Sequence, residues 1–64
     1  MLENLIHKSE VAEMLGIHEI TVIKMAKKGK LPGIIIGAKW FFDKEQIKEW
    51  LADKMKKNLK ENDR

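Results

Sequence analysis

The sequence predicts a small α+β domain that is mostly helical. Two short segments carry apolar residues at spacings of three and four, and each ends at a glycine, which predicts two helices joined by a tight turn. A β-branched and aromatic stretch on either side of Gly37 predicts a β-hairpin, and a longer amphipathic segment predicts a third helix. With 64 residues and no cysteine, the chain has room for one domain that packing alone must stabilise.

The first helix is predicted between Ser9 and Gly16, where glycine favours the left-handed conformation that ends a helix. Its apolar face consists of Val11, Ala12, Met14 and Leu15. Either His7 together with Glu10, or Ser9, can cap its N-terminus, and the sequence leaves both open. The lead-in before the helix is expected to place Leu5 or Ile6 on the core.

The second helix is predicted from Glu19 to Gly29, with Val22, Met25 and Ala26 on its inner face. The opposite face and its flanks carry Ile20, Thr21, Ile23, Lys24, Lys27 and Lys28. In a helix-turn-helix, the second helix enters the DNA major groove with its N-terminal residues at base edges and its cations near phosphates. The alternative is a plain helical hairpin whose lysines are only solvated.

The positions of the charged residues favour a polyanionic partner more strongly than the net charge of the chain does. Thirteen basic residues against ten acidic ones give a net charge of +3 and a pI near 9.3, which is common among small domains. Four lysines fall between Lys24 and Lys30, so the positive field lies at the end of the second helix. A DNA phosphate would be expected there.

The hairpin is predicted from Ile34–Ile36 as one strand and Trp40–Phe42 as its return strand, with Lys39 at the tip. Strand alternation directs one face to the core, and this face is expected to carry Ile34, Ile36, Trp40 and Phe42. The other face is then expected to present Ile35 and Phe41.

Asp43 with Gln46 resembles a capping box that opens the third helix. The apolar stripe of this helix consists of Ile47, Trp50, Leu51, Met55 and Leu59. Its first three members are expected to face the core. Met55 and Leu59 either fold back on Leu2 and Leu5 or contact another molecule.

The chain is expected to form one domain over residues 1–64, with a core of about residues 5–58 and a frayed tail at 59–64, because polar ends bury too little to stay ordered. No apolar run approaches the ~20 residues of a membrane span and no signal peptide is evident, which predicts a cytoplasmic protein without membrane association. His7 and His18 lack further ligands, so no metal or other cofactor is expected. No nucleophile and base are suitably spaced, so no catalytic residues are assigned and an enzyme is not expected.

Several short segments are typical of one family when taken together. They are Glu10–Ile17, Thr21–Val22, Lys27–Pro32, Gly37–Trp40, Ile47 and Trp50–Leu51. In this order the chain resembles, over about residues 5–51, the excisionase-type DNA-binding domains, which are small winged helices related to the N-terminal domains of MerR-type regulators.

The resemblance implies a winged helix-turn-helix that binds double-stranded DNA, with the second helix in the major groove and the hairpin as a wing against the backbone or adjacent minor groove. It further implies a role in phage excision, mobile-element control or transcription. The implied DNA-binding residues are His18, Glu19, Ile20, Thr21, Ile23, Lys24, Lys27, Lys28 and Lys39. Of these, Glu19 suits a cytosine amino group, because a carboxylate accepts a hydrogen bond from it.

The chain departs from the pattern of that family at five positions. Members often have Ser or Thr at position 18 and Arg at positions 19, 35, 38 and 41. The residues here are His18, Glu19, Ile35, Ala38 and Phe41. The wing is therefore less basic, and each missing phosphate contact lowers the affinity of a single copy for DNA.

Weak DNA contact suggests that a second interaction assists binding. Ile35 and Phe41 on the wing, with Met55 and Leu59 on the third helix, are candidates for contact with a neighbouring copy on DNA or with a recombinase. The alternative function is a protein-interaction module on a winged-helix scaffold with little or no DNA binding.

Overall fold

The computed structural model describes residues 4–62, and it describes side-chain burial for residues 4–57. The elements in chain order are β1 (Leu5–Ile6), α1 (Lys8–Leu15), α2 (Glu19–Lys27), β2 (Ile34–Ile36), β3 (Lys39–Asp43) and α3 (Lys44–Asn62). The strands form an antiparallel sheet in the order β1-β3-β2. The predicted fold class, a small and mostly helical α+β winged helix-turn-helix, is confirmed.

The core lies where α1, α2 and α3 meet the sheet. Its buried members are Ile6, Val11, Ala12, Val22, Ala26, Leu31, Phe42 and Ile47. Phe42 has no exposed surface, and Trp40 packs partly buried against the same cluster. This burial confirms the predicted inner faces of α1 and α2. Burial of apolar surface is the main favourable term in folding.

The turn between α1 and α2 begins at Gly16, whose φ of 69° is the left-handed conformation predicted for it. The N–H groups of Gly16 and Ile17 donate to the carbonyl oxygen of Ala12 at 2.8 and 3.1 Å, which satisfies the end of α1. At the other end His7 occupies the N-cap position without a side-chain capping bond. Its ring instead lies 5.2 Å from that of Phe41.

Strand β1 was not predicted. Leu5 and Ile6 pair with Asp43 and Phe42, so the segment expected only to lead into α1 adds a third strand to the hairpin. Ile6 is buried on the core, as expected.

The predicted facing of the hairpin is confirmed for β3, where Trp40 and Phe42 pack on the core, and is wrong for β2. Ile35 pairs with Trp40 and Ile34 pairs with Phe41, so Ile35 and Phe41 lie on opposite faces of the sheet. The three isoleucines of β2 are all exposed, although Ile34 and Ile36 were expected to face the core, and Phe41 is half-buried against His7. The reason is the two-residue turn Gly37–Ala38, with φ of 65° at Gly37, which brings Lys39 into the strand and fixes the register.

Helix α3 begins directly after β3. The Oδ1 of Asp43 accepts hydrogen bonds from the N–H groups of Glu45 at 2.9 Å and Gln46 at 3.2 Å, which confirms Asp43 as the cap. The three predicted core residues of α3 are buried or half-buried, whereas Met55 is 59% exposed. The side chain of Leu59 lies outside the described residues, and the fraying of residues 59–64 stays a prediction.

Candidate nucleic-acid interface

Helix α2 packs against the core on one side and is exposed to solvent on the other. Val22 and Ala26 are buried in the core, while Ile20 is 69% exposed and Lys24 is also exposed. Ile20 and Lys24 therefore lie on the solvent side of α2, where a partner can reach them.

The predicted DNA-binding residues of α2 divide into two surfaces, because a helix advances 100° per residue. We call the first the outer face. It is centred on Ile20 and Lys24, opposite the buried Val22, and is flanked by Thr21 and Lys28 on one side and by Lys27 on the other.

The second surface is a stripe formed by Glu19, Ile23 and Lys27, which recur at a spacing of four and lie on one side of α2. The stripe forms one wall of an open cleft of about 630 Å³ between α2 and the hairpin. The residues that line this cleft are His7, Lys8, Ser9, Glu19, Ile23, Lys27, Ile35, Ala38, Lys39 and Trp40.

Lys39 lies on the wall opposite α2, as part of the hairpin. Of the predicted DNA-binding residues, it therefore shares a surface with Glu19, Ile23 and Lys27 and not with Lys24. The predicted DNA-binding residues therefore lie on the outer face of α2 and in an adjoining cleft rather than on one continuous patch.

The N-terminus of α1 contributes to the cleft, which sequence reasoning did not find. The Nζ of Lys8 lies 4.0 Å from the Oε1 of Glu19, and both side chains are about half exposed. The cleft thus carries lysines from α1, α2 and the hairpin against a single glutamate. No periodicity within the sequence relates position 8 to position 27 or 39, so only the fold could reveal this grouping.

His18 occupies the N-cap position of α2, with φ of −77° and ψ of 152° and without a side-chain capping bond. Its exposed side chain borders a shallow depression of about 540 Å³ shared with Glu19, Ile20 and Thr21. The depression lies at the end of α2 that would meet base edges in a helix-turn-helix.

The predicted protein-contact residues are spread over separate surfaces. Ile35 lines the cleft, Phe41 faces away from it and packs on His7, and Met55 is exposed on α3. A single flat partner cannot cover all three.

Across residues 4–62, none of the helices combines the length and the hydropathy that a bilayer span requires. The two packed helices, the exposed second helix and the adjoining hairpin define a winged helix-turn-helix domain. Residues 8–55, three quarters of the chain, match the family described as helix-turn-helix domain, and the chain belongs to that family. Comparison with curated proteins and with solved structures finds no match.

Proposed function

We propose that this protein binds double-stranded DNA in a sequence-specific manner, with α2 in the major groove and the β2–β3 hairpin as a wing against the backbone. The observation that carries the proposal is the outer face of α2, on which Ile20 and Lys24 are exposed while the helix itself is fixed by buried Val22 and Ala26. Ile20 suits a thymine methyl group, and Lys24 suits the acceptors of guanine. The helix-turn-helix family supports DNA as the partner.

The biological role that we propose is that of an excisionase-like recombination directionality factor or a small transcriptional regulator of a mobile element. The support is the resemblance of the helix-turn-helix, Leu31–Pro32 and Trp40 segments to excisionase-type domains. The protein acts by binding rather than by catalysis in this proposal. The expected cytoplasmic location belongs to it as well, because a DNA-binding domain shares a compartment with its DNA.

A single copy is expected to bind weakly. The hairpin contributes Lys39 as its one cation, so the wing supplies few phosphate contacts and little counterion release. We propose that a second copy on neighbouring DNA, or a recombinase, adds the missing affinity through apolar residues, of which Ile35 and Met55 are exposed. The candidates remain Ile35, Phe41, Met55 and Leu59.

The proposal is tested by selecting bound duplexes from a random library at low salt, since neighbouring repeats among them would also reveal the arrangement of copies. Lys24→Ala is expected to weaken binding and to relax the preference at one base pair, whereas Lys28→Ala weakens all duplexes alike. Lys56→Ala removes the same charge from the exposed side of α3 and serves as the matched control. Equal binding by all three variants and the unaltered protein would place the reading surface elsewhere.

A protein-interaction module is the second candidate, and the exposed isoleucines of β2 favour it, since Ile35 is 56% exposed. The two functions respond differently to salt. DNA binding through lysines weakens steeply between low and physiological salt, whereas an apolar protein contact hardly changes. Absence of any duplex binding at low salt would leave the interaction module as the function.

A further inference from the structure

We infer that Lys8 and Glu19 together determine how tightly the cleft between α2 and the hairpin binds DNA, because Glu19 faces the sugar–phosphate backbone of one strand there rather than a base. The inference rests on the proposed function, and it assigns a role to Lys8, which the reading helix does not include. It also makes Glu19 a residue that limits affinity instead of one that reads cytosine.

Glu19 lies on the side of α2 that borders the cleft. It shares a side of the helix with Ile23 and Lys27, and all three line the cleft. Glu19 also borders the depression at the N-terminus of α2, but its Oε1 lies 4.0 Å from Nζ of Lys8, which lines only the cleft, so the carboxylate is directed to the cleft side. With the outer face against base edges, this stripe turns toward the strand that borders the groove. A carboxylate there meets phosphate oxygens and not the amino group of a cytosine.

The lining of the cleft matches a sugar–phosphate chain. Ile23, Ile35 and Trp40 provide apolar surface for deoxyribose, and Lys27 and Lys39 provide cations from the two opposite walls. With Lys8, the cleft carries three lysines against Glu19, so its net charge favours a polyanion. An acidic peptide has similar charge, but only a DNA strand would occupy the cleft and the outer face of α2 together.

The pair of Lys8 and Glu19 determines how the cleft responds to a phosphate. Their 4.0 Å separation partly neutralises Lys8 in the free protein. A phosphate that enters the cleft attracts Lys8 and repels Glu19, so DNA binding breaks a weak, exposed ion pair. Loss of the Glu19 charge therefore frees one lysine for the backbone.

The two roles of Glu19 make opposite predictions. Backbone contacts carry no sequence information, so Glu19→Gln should tighten the binding of every duplex by the same several-fold factor. It should also steepen the slope of log affinity against log salt by about 0.9, the value of one further phosphate contact. A base-reading Glu19 would instead lose on the order of tenfold affinity at a cytosine-containing position and nothing elsewhere.

The experiment compares the full chain with Glu19→Gln, Lys8→Gln and the double variant on a library-selected duplex, its single-base-pair variants and an unrelated duplex. Lys8→Gln is expected to weaken all duplexes equally, and the double variant to bind close to the unaltered protein. Glu13→Gln, an exposed carboxylate on α1 outside the cleft, is the control and should change nothing. Thermal melting of each variant reports whether the fold is retained.

A loss of affinity at only one base pair in Glu19→Gln would overturn the inference. Unchanged binding by both Glu19→Gln and Lys8→Gln would overturn it as well, and would assign the cleft to another occupant such as an acidic peptide. These outcomes leave the proposed function intact as long as Lys24→Ala still weakens binding. Failure of the unaltered protein to bind any duplex would overturn the proposed function itself, and this inference with it.

Discussion

The indole Nε1–H of Trp50 donates a hydrogen bond of 2.9 Å to the carbonyl oxygen of Lys30. The N–H of Lys30 in turn donates to the carbonyl oxygen of Met25 at 2.9 Å, which closes the end of α2. Helix α3 is therefore bonded to the segment directly after α2. The end of α2 that carries Lys27 and Lys28 is fixed in this way, although both lysines are exposed.

Trp50→Phe tests the contribution of this bond. The variant keeps an aromatic ring against the core and removes the indole N–H that donates this bond, so the free energy of unfolding should fall by about 0.5–1.5 kcal/mol. Urea denaturation followed by circular dichroism measures the change. Lys54→Gln is the control for the ring's other contact, since the Nζ of Lys54 lies 5.7 Å from the Trp50 ring at an exposed site. A loss of stability in Lys54→Gln but not in Trp50→Phe would contradict the argument.

Gly33 and Gly37 are required for different reasons, which predicts opposite responses to the same substitutions. A Cβ at Gly33 would lie 2.6 Å from Cε2 of Phe42, whereas a Cβ at Gly37 meets nothing within 4 Å but has a φ of 65°. Gly33→Ala should destabilise the fold by about 1–3 kcal/mol because Phe42 is fully buried and cannot give way. Gly33→Asn should destabilise it further.

At Gly37 the order should reverse, because the constraint is backbone conformation and asparagine tolerates a positive φ better than alanine does. Gly37→Asn should therefore be less destabilising than Gly37→Ala. Chemical denaturation of the four variants provides the comparison. The same order of alanine and asparagine at both sites would show that the two glycines serve one purpose.

The elements that could be predicted from the sequence are those that neighbouring residues determine. The period of Val22 and Ala26, the stop at Gly16 and the cap at Asp43 each depend on residues within a few positions, and the structure confirms all three. Even so, local capping rules left His7 and Ser9 open, and neither side chain makes the bond.

The parts that could not be predicted depend on contacts between distant segments. Pairing of Leu5 with Asp43 creates β1, and no local pattern in the first eight residues shows it. The facing of Ile35 follows from the length of the hairpin turn, since a shift of one residue moves every side chain to the other face. The grouping of Lys8 with Glu19 likewise exists only after α1 packs beside α2.

His18→Ser is expected to stabilise the protein. His18 occupies the N-cap position of α2 with extended backbone angles but makes no side-chain capping bond. A serine hydroxyl there can accept a hydrogen bond from the backbone N–H of Thr21 or of the residue before it. The free energy of unfolding should rise by about 1 kcal/mol. Thermal or urea denaturation measures it.

His7→Ser is the matched control, because His7 is the uncapped N-cap residue of α1. Here the gain of a cap is offset by the loss of the ring contact with Phe41 at 5.2 Å, so the net stabilisation should be smaller than at His18. A larger gain at position 7 than at position 18 would show that the ring contact contributes nothing.

Strand β2 is predicted to mediate the self-association that assists DNA binding. It lies at an edge of the sheet, and Ile34 and Ile36, which lie on the face opposite Ile35 and do not line the cleft, are exposed without the charged residues or proline that commonly protect an edge strand. Ile34→Thr removes apolar surface while keeping β propensity, and it avoids the cleft. It should reduce concentration-dependent association in sedimentation equilibrium and cooperativity on a duplex with two adjacent sites.

Met55→Gln makes the corresponding change on α3 and should have a smaller effect. Cooperative binding that survives Ile34→Thr but is lost in Met55→Gln would assign the contact to α3, and a monomeric protein that binds the two sites independently would rule it out.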